Sequence, residues 1–183
     1  MSTRYEIRFS GAGGQGLITA GIILAEAASI VEDQHAVQSQ SYGPEARGGA
    51  SKSEVIISDG PIDYPKATMV DACLALTQEA ADRYADTIKP GGLLLLDADF
   101  VKNPPAGDFK IYRFPIINTA KTDIGRAIVA NVVALGAMVA LTGIVKRESG
   151  EEAVLRRVPE AFMDLNKRAY NAGYDKVKAL LDD

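Results

Sequence analysis

At 183 residues, with 47 % apolar and 24 % charged side chains, the chain has the make-up of an ordinary globular protein with one sizeable core, so a single domain over 1–183 is expected. A formal net charge of −4 and the lack of a basic stripe argue against a nucleic-acid binder. One cysteine, Cys73, excludes an internal disulfide and an iron–sulfur cluster held by this chain alone.

Met1-Ser2-Thr3-Arg4 leads straight into a strand, so no signal peptide is expected and the expected compartment is the cytoplasm. That strand, Tyr5-Glu6-Ile7-Arg8-Phe9-Ser10, is apolar at alternate positions. Gly11-Ala12-Gly13-Gly14-Gln15-Gly16 follows, and residues 15–31 then show helical periodicity. Strand, glycine turn and helix form the context in which G-x-G-x-x-G carries meaning. Gly11 is expected to take backbone angles closed to other residues, Gly13 to admit a ligand or another backbone, and Gly16 to let helix and strand pack closely. The helix start offers N–H groups and a partial positive charge to a phosphate or carboxylate.

A second strand is expected at 36–41, followed by a loop, Tyr42-Gly43-Pro44-Glu45-Ala46-Arg47-Gly48-Gly49. A dinucleotide-binding domain usually ends this strand in an acidic residue, roughly 20 residues after the glycines. Here it ends in amides and hydroxyls, and Glu32 and Asp33 come too early. Three readings of the turn stay open: a nicotinamide or flavin site, a tight turn packed on a partner chain, and an anion site for another ligand. Residues 51–58 read as a strand, Asp59-Gly60-Pro61 as a turn, and 71–77 as a buried parallel strand followed by a helix at 78–87. Lys89-Pro90-Gly91-Gly92 is expected to turn the chain into a strand at 93–97, and Phe109–Phe114 reads as the last strand.

Residues 127–145 carry no charge but are interrupted by Asn131, Gly136, Thr142 and Gly143. They are read as a helix buried on all sides, with one face meeting another chain, and not as a membrane span. Ser149-Gly150-Glu151-Glu152 has the pattern of a capping box, and Pro159 suits the first turn of a last helix. On that helix Val158, Phe162, Leu165, Ala169 and Ala172 recur as one packed face. Strands alternating with helices give an α/β fold with a mostly parallel sheet and a C-terminal helical segment.

Groups able to do chemistry are few. His35 is the only histidine, and Cys73 lies in an apolar strand where it should act as a small hydrophobe. No His, Cys or carboxylate cluster has metal-ligand spacing. Asp97 and Asp99 follow a strand end, where a cap or turn role is expected. In the loop after the second strand, Arg47 offers a planar fork to phosphate or carboxylate among Ser41, Tyr42, Gly48 and Gly49. It would form the second wall of an anion site beside the glycine turn. The alternative, a pair with Glu45 or with a partner's carboxylate, is equally open.

GAGGQG after the first strand, then SQSYGPEARGGASKSEVIIS, DYPK and KPGGLLLLD, resembles the gamma subunit of 2-oxoacid:ferredoxin oxidoreductases, and the 2-oxoglutarate enzyme's gamma chain most of all. The likeness runs from about residue 7 to 143. Indolepyruvate oxidoreductase beta subunits share the GGQG turn but differ around SYGPEARGG. The resemblance implies a three-layer α/β/α, Rossmann-like domain working inside a complex. Such complexes oxidatively decarboxylate a 2-oxoacid with coenzyme A, giving an acyl-CoA, carbon dioxide and two electrons for ferredoxin. It implies that thiamine diphosphate sits on partner alpha and beta subunits, and magnesium and iron–sulfur clusters on partner subunits, with a ferredoxin-like delta subunit as an optional further partner. It also implies that Gly11, Gly13, Gly14, Gln15, Gly16, Ser41, Tyr42, Arg47, Gly48 and Gly49 help hold coenzyme A at a shared site. No catalytic residue, metal, nucleic acid or membrane contact is expected of this chain, and the chain alone is expected to be inactive. Other readings are a purely structural assembly subunit, a gamma-type chain for pyruvate or indolepyruvate, and a free NAD-binding reductase.

Overall fold

A computed structural model describes residues 3–41 and 50–182. Six strands form one sheet in the order β2-β3-β1-β4-β5-β6. They are β1 Arg4–Ala12, β2 His35–Ser41, β3 Ala50–Ser58, β4 Val70–Ala75, β5 Ile88–Asp97 and β6 Phe109–Phe114. β1, β4, β5 and β6 are parallel neighbours, and β3 pairs antiparallel with both β1 and β2. Only β3 therefore runs against the rest. Eight residues join it to β2, and a connection that short makes neighbouring strands antiparallel.

The first helix, α1 Leu17–Glu26, continues as a π-helical turn at Ala27–Val31, matching the expected span. α2 spans Gln78–Tyr84, with Thr77 as its cap: the Thr77 hydroxyl accepts from the Ala80 N–H at 3.2 Å. α3 spans Ile116–Thr122, α4 Ala130–Thr142, α5 Arg147–Arg157 and α6 Met163–Asp182. Strand alternation sorts the side chains. Ile7, Phe9, Val55, Ile57, Ala72 and Leu74 face a large core shared with α1 and α4, while Cys73, Ala75, Leu94 and Leu96 face a smaller one under α2. The result is three unequal layers. On the α2 side Arg8 and Glu54, both nearly fully buried and opposite each other in register, form an ion pair at 2.7 Å. The Arg8 guanidinium also lies over the Tyr84 ring.

Several sequence expectations are corrected. Gly91 and Gly92 lie inside β5 rather than in a turn before it. The left-handed φ of 75° at Gly91 and a register shift opposite Val70 and Ala72 absorb the irregularity. Ser149 and Gly150 lie within α5, which starts after Lys146, so they open no helix. Ser149 is buried, and a Cβ on Gly150 would run into the Tyr170 hydroxyl. α4 is buried as expected, but the chain itself supplies the cover. α6 crosses it so closely that a Cβ on Gly136 would strike the Tyr170 carbonyl, and one on Gly173 the Val133 carbonyl. The chain thus covers the middle of this helix, while Ile128 just before it stays exposed. The packed face of α6 runs through Asn166, Ala169, Tyr170, Gly173 and Val177, whereas Phe162 is half exposed. Leu165, Ala169 and Ala172 of the expected stripe do pack on the core, and Phe162 departs from it because a 3-10 turn at Glu160–Phe162 shifts the phase before the α-helix starts.

Candidate functional site

The site is built at the carboxyl end of the parallel strands. β1 ends at Ala12, beside Ala50 of β3, and the chain turns through residues 13–16 into α1. Gln15 holds the turn shut: its side-chain oxygen accepts from the Ala12 N–H at 2.8 Å. Gln15 also lines both openings beside the turn. Gly14 and Gly16 take left-handed φ values of 85° and 73°, which side chains disfavour. Gly16 is also crowded, since a Cβ there would come 2.7 Å from the Asn131 amide nitrogen. That amide donates to the Gly16 carbonyl at 3.2 Å and pins the turn to α4.

The roles expected of the glycines are redistributed. Gly11 does not have a positive φ. Its missing Cβ makes room for Gln15, Leu17 and Leu76. Close packing of α1 on the sheet is carried by Gly21, against Ser53 and Val55, and not by Gly16. Gly13 stands apart. It is exposed, its φ is not positive, and nothing lies within 4 Å of where its Cβ would be. Neither backbone geometry nor packing among the described residues accounts for a glycine there.

The turn opens on two sides. A cavity of about 350 Å³ lies toward β3, lined by residues 12–19 and Ser51. Another of about 310 Å³ lies toward α3 and α4, lined by Gly14, Gln15, Gly16, Leu76, Ile117 and Asn131 among others. α1 begins here with no side-chain cap on Gly16. Its first N–H groups therefore face the opening with the positive end of the helix dipole.

Of the second loop, Tyr42, Arg47, Gly48 and Gly49 lie outside the described residues. Its anchors do not: Ser41 ends β2 opposite Lys52, and Ala50 starts β3 opposite Ala12. Both ends of the loop thus sit on the rim that carries the glycine turn. The same pairing bears on the dinucleotide reading. In a nucleotide-binding Rossmann sheet the parallel strand following the glycine helix carries the ribose-binding carboxylate at its far end. Here the place beside β1 belongs to β3, which runs the other way and enters the rim with Ala50-Ser51.

The remaining polar groups on the rim have structural work. Asp97, fully buried at the end of β5, accepts from the N–H groups of Asp99 and Phe100 through one oxygen, and from Ile117 at 2.8 Å through the other. It caps the following turn and the start of α3, as expected. Burial pushes the Cys73 thiol up to about 11, so it stays protonated and unreactive near neutrality. His35 is exposed at the start of β2, at the opposite end of the sheet from the rim. Among the described residues no group of His, Cys, Asp and Glu could hold a metal ion, and no helix is long and apolar enough to cross a membrane.

Sequence reasoning missed a third opening. An apolar groove of about 720 Å³ runs between α1, the 3-10 turn at Ala127–Val129 and the start of α6. Its signal was present in the bare Ile128, which is 85 % exposed within an uncharged run.

Comparison with known proteins places this architecture. The model of the pyruvate ferredoxin/flavodoxin oxidoreductase family matches residues 6–176. A 2-oxoglutarate synthase subunit KorC of Methanocaldococcus jannaschii is 50 % identical, over 97 % of this chain and 96 % of its own length. The crystal structure of a keto/oxoacid ferredoxin oxidoreductase gamma subunit from Geobacter sulfurreducens superposes with a TM-score of 0.91 at 64 % identity, covering 97 % of this chain and 98 % of that one. A 2-oxoglutarate:ferredoxin oxidoreductase from Magnetococcus marinus, solved with 2-oxoglutarate, coenzyme A and succinyl-CoA bound, matches with a TM-score of 0.85 at 25 % identity, covering 96 % of this chain and 31 % of that one. With the α/β layers and the glycine turn before α1, these likenesses establish that the chain belongs to the pyruvate ferredoxin/flavodoxin oxidoreductase family, as a gamma-type subunit of a 2-oxoacid:ferredoxin oxidoreductase.

Proposed function

We propose that this gamma subunit serves a 2-oxoglutarate:ferredoxin oxidoreductase and forms one wall of its coenzyme A site. The complex converts 2-oxoglutarate and coenzyme A to succinyl-CoA and carbon dioxide while reducing ferredoxin. Thiamine diphosphate belongs to the alpha and beta subunits, and magnesium and the iron–sulfur clusters to partner subunits, with or without a delta subunit. The chain alone turns over no 2-oxoacid, since it offers no nucleophile or cluster thiolates. The choice of 2-oxoglutarate is supported by the names of the KorC relatives and by the bound molecules of the Magnetococcus structure.

The observation that carries the coenzyme A reading is Gly13. A glycine that the fold does not require, at an uncapped helix start, leaves room for something to approach the backbone closely. Coenzyme A brings phosphates suited to those N–H groups and a pantetheine arm slim enough for the openings beside them. Arg47, on a loop anchored to the same rim, adds a guanidinium for a phosphate. In the assembled enzyme, Gly13→Val and Arg47→Ala should each raise the KM for coenzyme A by about tenfold. Decarboxylation measured without coenzyme A should be spared. Unchanged coenzyme A dependence in both variants would remove this reading and leave a purely structural subunit.

A further inference from the structure

We infer that the 720 Å³ groove between α1, the turn before α4 and the start of α6 is the seat of another subunit of the same oxidoreductase, which inserts an apolar side chain flanked by a carboxylate. Ile23, Val132, Val158 and Leu165 form the floor and walls, with Ile128 and Phe162 standing at the rim, 85 % and 52 % exposed. A pocket built for a small molecule encloses its lining, but here two of the largest apolar side chains project into solvent. Projecting apolar walls of this kind are the anatomy of a protein interface.

Charge selects the occupant. The groove's lining includes two arginines, Arg126 and Arg157, and no carboxylate. Arg157 is answered within the chain by Glu26 at 2.7 Å. The Arg126 side chain has no hydrogen bond or ion pair among the described residues. A two-fold contact between copies would set this patch against itself and bring guanidinium toward guanidinium. A different chain carrying an acidic residue beside its apolar anchor has no such conflict. The groove also shares Ile128 and Asn131 with the cavity at the glycine turn, so a subunit seated there would reach the edge of that site.

The test co-expresses the full chain with the other subunits of its oxidoreductase, one of them tagged, and measures how much of it co-purifies. Ile128→Asp should lower the retained fraction at least tenfold, while the Tm of the isolated variant stays within about 2 °C because the side chain packs on little. Arg126→Glu should also weaken retention, and added salt should weaken the wild-type contact. Should Ile128→Asp lower the Tm, Arg126→Glu decides in its place: loss of co-purification supports the assignment and full retention overturns it. Full retention of a folded Ile128→Asp overturns it as well. Intact assembly with a raised KM for coenzyme A would give the groove to the ligand. A wild-type homodimer that Ile128→Asp converts to monomer would give it to a second copy. Either result ends the proposal. The coenzyme A reading stands or falls separately, because Gly13 variants are read by KM in a complex that has assembled.

Discussion

At the α4–α6 crossing, Gly136 and Gly173 lack a side chain because a carbonyl of the opposite helix fills the space. At the turn after β1, Gly13 and Gly14 have no described residue within 4 Å of the position a Cβ would take. Residue type is the same in both regions and its cause is opposite. A glycine with a neighbour is explained by the fold. One without a neighbour, and without a positive φ, points outside the chain. Gly14 is accounted for by its φ of 85°, which leaves Gly13 as the informative one.

The contrast can be broken by substitution. Gly136→Val should have the largest effect, about 3–5 kcal/mol of lost stability, because the obstructing atom is backbone and cannot swing aside. Denaturant unfolding would show it, and a change below about 1 kcal/mol would mean that α6 is loosely held. Asp97→Ala asks whether the rim is also fold where it is polar. It strips the acceptor from three N–H groups and should cost about 2–3 kcal/mol in the same measurement. Gly13→Ala should leave stability within about 0.5 kcal/mol of wild type. A larger loss would make Gly13 a structural glycine like Gly136.

Glu26→Gln should give a small effect that depends on pH. The hydrogen bond from Arg157 holds the Glu26 carboxyl below the usual carboxylate range. A lowered folded-state value stabilises above the unfolded one, about pH 4.3, and the benefit fades as pH falls through the lowered value. Both side chains are partly exposed, so solvent screening limits the pair to about 0.2–1 kcal/mol. Thermal melts should therefore separate Glu26→Gln from wild type at pH 7 and converge at strongly acidic pH.

Much of this contrast was legible beforehand. Alternation in β1, the LLLL run of β5 and the glycine turn gave strands, layers and the rim, because each is a local pattern with a local cause. Asp97 as a cap followed from its place at a strand end. What escaped depends on partners distant in sequence. Gly136 could not be known to face Tyr170, nor Gly150 the Tyr170 hydroxyl, until α6 was laid across α4 and α5. Likewise Arg8 and Glu54 each look like ordinary outward residues of alternating strands, and only the β1–β3 register under α2 makes them a buried pair. The bond that Gln15 accepts from the Ala12 N–H, three residues back, also escaped, because it depends on how the turn closes.

The order of α4 and α6 along the chain has a consequence for biosynthesis. The most deeply buried helix, α4, leaves the ribosome before α6, the helix that shelters it. A nascent or prematurely terminated chain lacking residues 163–182 therefore presents a bare hydrophobic cylinder that invites chaperone capture or aggregation. Quality control of this subunit is therefore set by residues 163–182.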